Sequence, residues 1–490
     1  MVESDYLLGK AYGRGASVAA PAPGCVHRIQ SEEITMAKRK LGILPNPVTR
    51  DLRSETALVF VTLADGLDEP AVQQWLTQLA VFIDALEAPP RRGTPLASTV
   101  IAMGPRFFAR FPDHAANNPH GLASSVTLPA APIDADIFLH IAYTSESRLA
   151  DLLRLLWETR PTVAAIDVEH GYARADGREA FGQLDGLRNL HRAQRRRATV
   201  VDTRALPEEP AWFRGGSYAA YLKIEQNMDP WASLDATTRE QIIGRHVTDG
   251  SRLDLEPGHN PHSEGEFADP ATPPHSSHIR KAGPRGSLHD QNLIFRRGVP
   301  YVEEIDKILH FGLQFVSYQA SLSDFDVVLN RWMLNPDFPE RGSGVDSLIA
   351  NNLITFLLSG VFVVVPQDDR YPAAGYFDPP PVPPRSRKGR VHIRKSAVDQ
   401  NGAPTNAEVG DIEFQLFESD GVTAIGDPSR TNPAGRAILP AVRIGKTVLL
   451  RESPNSRFEQ APDQTVTVDK ANVLVSVINK LLPAAHPYGG

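Results

Sequence analysis

Two periodicities of hydrophobic and polar positions alternate along the chain. Residues 57–65 (ALVFVTLAD) form a β-branched apolar run suited to a buried strand. The next segment, EPAVQQWLTQLAVFIDALE, places apolar residues at helical spacing with Pro70 in its first turn. A second strand is predicted over 135–145 (ADIFLHIAYTS). It leads into ESRLADLLRLLWETR, an amphipathic helix that closes at Arg160 ahead of Pro161. The pattern then recurs. GGSYAAYLKIEQNM (215–228) reads as a strand, TTREQIIGRH as a helix, FGLQFVSYQA (311–320) as a strand and DSLIANNLITFLLSG as a helix. Strand–helix–strand blocks in two successive halves predict an α+β protein of two similar sandwiches of helices on antiparallel sheets.

The ends have a different texture. Residues 1–50 are rich in Gly, Ala and Pro with weak periodicity and read as an extended arm. At YFDPPPVPPRSRKGR a Pro-rich stretch favours extended conformation and a semi-rigid spacer. Short alternating strands follow: GRVHIRKSAV, DIEFQLFES, AILPAV, TVLLRES, QTVTVD and NVLVSVIN, an all-β sandwich by its turn spacing. The predicted organisation is an N-terminal extension (1–50), a first ferredoxin-like half (51–205) and a second (206–367). A Pro-rich linker (368–387) and a C-terminal β-sandwich (388–483) complete it.

Composition narrows the chemistry. A net charge of −7 argues against a general nucleic-acid binder. The basic run Arg192 to Arg197 reads as a solvated helix end. Cys25 is the only cysteine, which rules out an intrachain disulfide, a thiolate zinc site and a Cys-held iron–sulfur cluster. Any metal must be held by His, carboxylate or a cofactor. The longest apolar run, LITFLLSGVFVVVP from Leu353, is too short to span a bilayer and reads as a helix end running into a buried strand. No apolar segment behind a basic start marks an export signal, so the expected compartment is the cytoplasm, with non-classical export as the alternative.

Three short motifs carry the chemistry. Phe181-Gly182-Gln183-Leu184-Asp185-Gly186 lies in a turn-rich segment, where Asp and Gly ordinarily just make turns. His275-Ser276-Ser277-His278-Ile279-Arg280 is followed by Gly283-Pro284-Arg285. Ile294-Phe295-Arg296-Arg297-Gly298 comes next, with Arg296 eighteen residues after His278. In this order and spacing they resemble the signature of the dye-decolourising (DyP-type) peroxidase family. GGSY at Gly215, WASLDATTREQIIGRHVTDGSRL from Trp231 and GLQFVSYQ at Gly312 add to the likeness, which covers roughly residues 42–367. Two positions depart from the family pattern: Gln183 replaces an aromatic, and Leu190 stands where Pro often follows Asn189.

The resemblance implies the family's pair of ferredoxin-like sandwiches and one haem b per chain. It implies a peroxidase that reduces hydrogen peroxide and oxidises bulky organic substrates such as dyes or phenolics through a ferryl intermediate. It makes His278 the axial ligand of the iron, a role that suits a neutral imidazole. It places Asp185 and Arg296 on the opposite face, as proton shuttle and as stabiliser of developing negative charge, with activity favoured at acid pH. Leu313 and Phe315 match the apolar residues that line the family's pocket. Asp346, by position, is the candidate carboxylate partner of the axial histidine, and it reads equally well as a helix cap. Trp231, Trp332 and Tyr318 are candidate electron relays, or simply aromatic core. Two alternatives stay open: a haem-handling protein with incidental peroxidase activity, and a finger-like zinc site from His259, His262, His275 and His278.

Beyond the linker, the early Lys, IEFQLFESDG, TNPAGRAIL, LLRESPNSRF and the closing VSVIN resemble the prealbumin-like repeats of bacterial surface proteins, of the collagen-adhesin B type. That resemblance implies an isopeptide bond between Lys395 and Asn479 promoted by Glu452, and a docking module for a protein or a surface. The organic reductant and the oligomeric state, a homo-oligomer included, stay open at this level.

Overall fold

The computed structural model describes residues 55–88, 97–123, 126–144, 146–190, 192–262, 265–269, 271–286, 292–380 and 388–482. The N-terminal arm lies outside them. Among the described residues no helix is long and apolar enough to cross a membrane.

The first half runs β1 (Glu55–Leu63), α1 (Glu69–Glu87), β2 (Ala97–Met103), the two-residue β3 (Ala131–Pro132), β4 (Ile137–Tyr143), α2 (Glu146–Glu158) and β5 (Val163–Tyr172). Asp68 caps α1 by accepting the Ala71 N–H at 2.9 Å. Val72, Trp75, Leu76, Leu79, Ile83 and Leu86 recur three and four residues apart and are buried. The second half contributes β6 (Ser217–Gln226), β7 (Phe295–Arg296), β8 (Val299–Ile305), β9 (Ile308–Gln319) and β10 (Ile354–Val364).

The strand orders β5-β1-β4-β2 and β10-β6-β9-β8 follow the same βαββαβ arrangement, which makes each half ferredoxin-like. The halves do not form separate sheets. Val363 and Val364 of β10 pair antiparallel with Met103 and Ala102 of β2, giving one continuous ten-stranded sheet. Leu58, Phe60, Phe138, Tyr221, Tyr318 and Phe362, drawn from both halves, share a core on one face.

One predicted element is corrected. DSLIANNLITFLLSG is helical only over Ser347–Ala350, and β10 begins at Ile354. The turn ends where Asn352 adopts a positive φ of 51°. The β-branched residues beyond it pair with β6, where each backbone group finds a partner. Within the stretch read as linker, Tyr376 and Phe377 instead pack with Phe107, Phe108 and Phe111 in the core of the first half.

The C-terminal region holds two four-stranded sheets. One comprises β14 (Arg436–Ile438), β11 (Lys388–Val398), β15 (Val442–Arg443) and β18 (Asn472–Lys480). The other is β13 (Ala424–Arg430), β12 (Glu413–Phe417), β16 (Lys446–Glu452) and β17 (Gln464–Val468). Val391, Ile393, Phe414, Leu416, Val448, Leu450 and Val477 form a core common to both.

Candidate functional site

His278 opens α3 (His278–Ala282) directly after the N-cap Ser277. Its Nδ1–H donates to Asp346 Oδ2 at 2.8 Å, and Asp346 is fully buried. The other carboxylate oxygen accepts the Leu348 N–H at 2.9 Å and caps the turn Ser347–Ala350. The two readings of Asp346, cap and histidine partner, therefore hold together, one oxygen each. Burial alone would lower the His278 pKa. The charge and hydrogen bond of Asp346 reverse this and hold it above the ordinary histidine value, with Arg296 opposing and Asp185 adding. The charges of both candidate distal residues thus reach His278. Nε2 makes no hydrogen bond among the described residues, and the side chain is 33% exposed.

Asp185 stands on a loop tied down from within. The half-buried Glu179 carboxylate accepts the N–H groups of Phe181 and Gln183, each at 2.8 Å, and the side-chain amide of Gln226. Desolvation raises its pKa against those bonds. Gly182 has a φ of +81°, which a side chain would strain. Trp231 stacks on Phe181 at 4.3 Å and donates its indole N–H to the Phe181 carbonyl. Asp185 itself is exposed, its N–H bound to the Gly177 carbonyl at 2.9 Å.

Arg296 is clipped to the same loop. Asn189 Nδ2 donates to the Arg296 carbonyl at 2.7 Å, and Arg296 Nη2 donates to the Leu187 carbonyl at 2.8 Å. Arg296 pairs with Ser317 across β7 and β9, so it shares a sheet face with Phe315 and Leu313. Across β6 and β10, Ile224 and Phe356 continue that face. All four apolar side chains are half-buried.

Sequence reasoning missed several residues that build the site. Glu179 and Asn189 position the loop, but as a turn acid and a turn amide they carried no distinguishing signal. Arg245 is buried, and its pKa falls to about 10, first through burial and then through Arg296, Arg252 and Arg188. A cluster of cations this dense suits an anionic ligand.

The three candidate relays lie in the core. Trp231, Trp332 and Tyr318 are all buried, Tyr318 with its hydroxyl 2.7 Å from His140 Nδ1. Each covers a large apolar area that the core holds more favourably than water does. Trp157, 59% exposed, is an exposed indole among the described residues. The four histidines of the zinc reading do not converge. His259 Nδ1 bonds the Glu256 carbonyl at 2.8 Å, whereas His278 holds Asp346.

His278, Asp346, Asp185, Arg296, Leu313 and Phe315 all lie within residues 176–369, which match the family model described as "Dyp-type peroxidase, C-terminal". Over that span the chain is similar to the DyP-type peroxidases. A dye-decolorizing peroxidase of Mycolicibacterium paratuberculosis is 28% identical over 225 residues, 43% of this chain and 59% of that protein. The deferrochelatase of Escherichia coli K12 is 27% identical over 209 residues, 40% of this chain and 49% of its own. The chain spans about half the length of the curated relatives it matches. Among solved structures, ferric DtpA from Streptomyces lividans aligns with a TM-score of 0.57 at 22% identity, covering 69% of this chain and 96% of that one. The fold is therefore that of DyP-type peroxidases.

Proposed function

We propose that the chain is a haem-dependent peroxidase, which reduces hydrogen peroxide at the expense of a bulky organic reductant such as a dye or a phenol. The observation that carries this reading is the His278–Asp346 pair. A single imidazole is oriented through Nδ1 by a buried carboxylate, and its Nε2 is left to bind. The surroundings suit haem b: a half-buried apolar face at Leu313, Phe315, Ile224 and Phe356 for the macrocycle, and the Arg245 and Arg188 cations for its carboxylates. When bound, haem supplies the iron at which the peroxide O–O bond is cleaved and through which electrons are drawn from the reductant.

The chain's own residues supply the rest. His278 Nε2 would hold the iron, with Asp346 keeping the imidazole in one tautomer and raising its donor strength. Asp185 would accept a proton from bound peroxide and return it to the oxygen that leaves as water. Arg296 stabilises the negative charge that develops on that leaving oxygen, and its rigid clip to Asn189 and Leu187 sets its direction beforehand. Peroxide turnover in Asp185→Asn and Arg296→Leu tests these roles. We expect each to lose about 10²-fold or more while still binding haem. Unchanged turnover in both would remove the assignment.

The likeness to deferrochelatases favours a second reading, a haem-handling protein. Release of iron from bound haem without peroxide turnover would select it.

For the C-terminal region we propose a prealbumin-like sandwich with an internal isopeptide bond. Lys395, Glu452 and Asn479 are each at most 3% exposed. Lys395 Nζ donates to Glu452 Oε2 at 2.7 Å, and Asn479 Nδ2 donates to Oε1 and Oε2 at 2.9 and 3.0 Å. Burial lowers the Lys395 pKa, against the pull of Glu452. Neutral Nζ attacks the Asn479 side-chain carbonyl carbon and the C–Nδ2 bond breaks. Glu452 carries the proton from Nζ to Nδ2, and ammonia leaves.

A further inference from the structure

The C-terminal sheets touch the peroxidase region through two arginines that face each other across the β11–β14 ladder, Arg394 and Arg436. Arg394 Nη2 donates to Glu208 Oε1 at 2.8 Å. Arg436 Nη2 donates to the hydroxyls of Ser321 and Ser323, and its Nη1 lies 3.8 Å from Asp324 Oδ1. Asp324 is buried, and desolvation raises its pKa against the pull of Arg436. A third contact follows. The Trp332 indole N–H donates to Glu408 Oε2 at 3.3 Å, and Ala434 packs among Val327, Val328, Trp332 and Phe338.

Apart from Glu208, these peroxidase-side residues fall within residues 321–338. That segment is a short helix (Leu322–Asp326) running into a π-helix (Val327–Met333) and a turn. A π-helix is rare, occurs often at functional sites, and in isolation is less favourable than an α-helix. Its far side reaches the proximal pair. The Met333 carbonyl accepts the Asp346 N–H at 2.9 Å. Lys281, three residues beyond His278 and fully buried, donates to the carbonyls of Asn335, at 2.7 Å, and Phe338. The Phe338 ring stacks on Trp332 at 5.5 Å and 14°.

One segment is therefore gripped by the C-terminal domain on one side and holds the backbone around both His278 and Asp346 on the other. We infer that the C-terminal domain is a brace for the proximal pair: Arg436 and Glu408 are positioning residues that fix residues 321–338 and, through Met333, Asn335 and Phe338, orient His278 and Asp346. The inference uses the proposed function only in taking His278 as the iron ligand; the mechanical coupling stands without it.

Hydrogen exchange followed by mass spectrometry on the haem-free full chain tests the coupling. It compares the unaltered protein with Arg436→Ala, Arg436→Lys and Glu408→Ala, the last removing the acceptor of the Trp332 N–H while leaving the side chains of residues 321–338 in place. We expect residues 327–347 and 276–282 to exchange roughly tenfold faster in Arg436→Ala and Glu408→Ala, the effect of losing one hydrogen bond to a charged group. Arg436→Lys should recover part of the protection, and β12 and β16 should stay protected throughout. The reduction potential of the haem-loaded chain should move in the same variants. Faster exchange confined to residues 321–326 and the C-terminal sheets, with the proximal segments and the potential unchanged, would overturn the inference. If Arg436→Ala fails to fold, Glu408→Ala decides between the same two outcomes. A chain that takes up no haem would end the peroxidase reading while leaving the exchange result to be judged on its own.

Discussion

At the scale of single residues, the division of labour in Asp346 makes a sharp prediction. Replacing it by Asn removes the negative charge that faces His278 but leaves a side-chain oxygen able to cap the turn at Leu348. The haem-loaded Asp346→Asn variant should have a higher reduction potential than the parent, because the imidazole loses its anionic acceptor at Nδ1 and becomes a weaker donor to the iron. Asp346→Ala should raise the potential likewise and cost about 1 kcal/mol more in urea unfolding through the lost cap. A potential unchanged in both would separate Asp346 from the iron. A second residue sets the acid limit of the fold. His140 is fully buried, and desolvation, helped by Arg297, depresses its pKa to about 3. Below its ordinary value of 6.5 the unfolded chain binds a proton that the folded chain refuses. Stability should therefore fall as pH drops from 6.5 toward 3, by up to several kcal/mol. His140→Gln, which keeps an acceptor for Tyr318, should flatten that slope in a pH series of denaturant titrations; an unchanged slope would place the acid sensitivity elsewhere.

At the scale of elements, legibility followed how local the determinants are. The helix Glu69–Glu87 announced itself because Pro70 and the apolar stripe from Val72 to Leu86 lie within it. The strand at Ile354–Val364 did not, since Leu and Phe serve helix and strand alike and only pairing with β6 decides between them. The same reason hid the π-helix, whose form depends on what grips it, and β13, whose AIGDPSR reads as a turn. In the candidate site, His278, Asp185 and Arg296 were legible through motif order. Glu179 and Asn189 were not, because their work is done on backbone groups that no pattern of side chains reveals. The loop that carries Asp185 shows what that work is worth. Glu179→Ala leaves two backbone N–H groups and one amide without their acceptor. It should cost roughly 2 kcal/mol in urea unfolding. It should also lower peroxide turnover without weakening haem binding, because the loop carries Asp185 and leaves His278 untouched. Parent-like turnover would mean that the loop keeps its shape by other means.

At the scale of the whole molecule, a single ten-stranded sheet joins the two halves, and the C-terminal sheets rest on the element behind the proximal pair. The proposed covalent bond ties β11 to β18, the first and last strands of that C-terminal domain. Intact-mass spectrometry of the full chain should show a deficit of about 17 Da, the ammonia released on amide formation, absent from Glu452→Gln. The variant should also melt earlier, since an unlinked chain gains more freedom on unfolding. A full-mass parent would leave Lys395, Glu452 and Asn479 as a buried ion pair with its amide partner.

The measurement that bears most directly on the whole account is the absorption spectrum of the full chain expressed with added haem, before and after one equivalent of hydrogen peroxide. A ferric Soret band that changes on adding peroxide and is missing from His278→Ala is expected. A chain that takes up no haem, or that holds it equally well without His278, would contradict it.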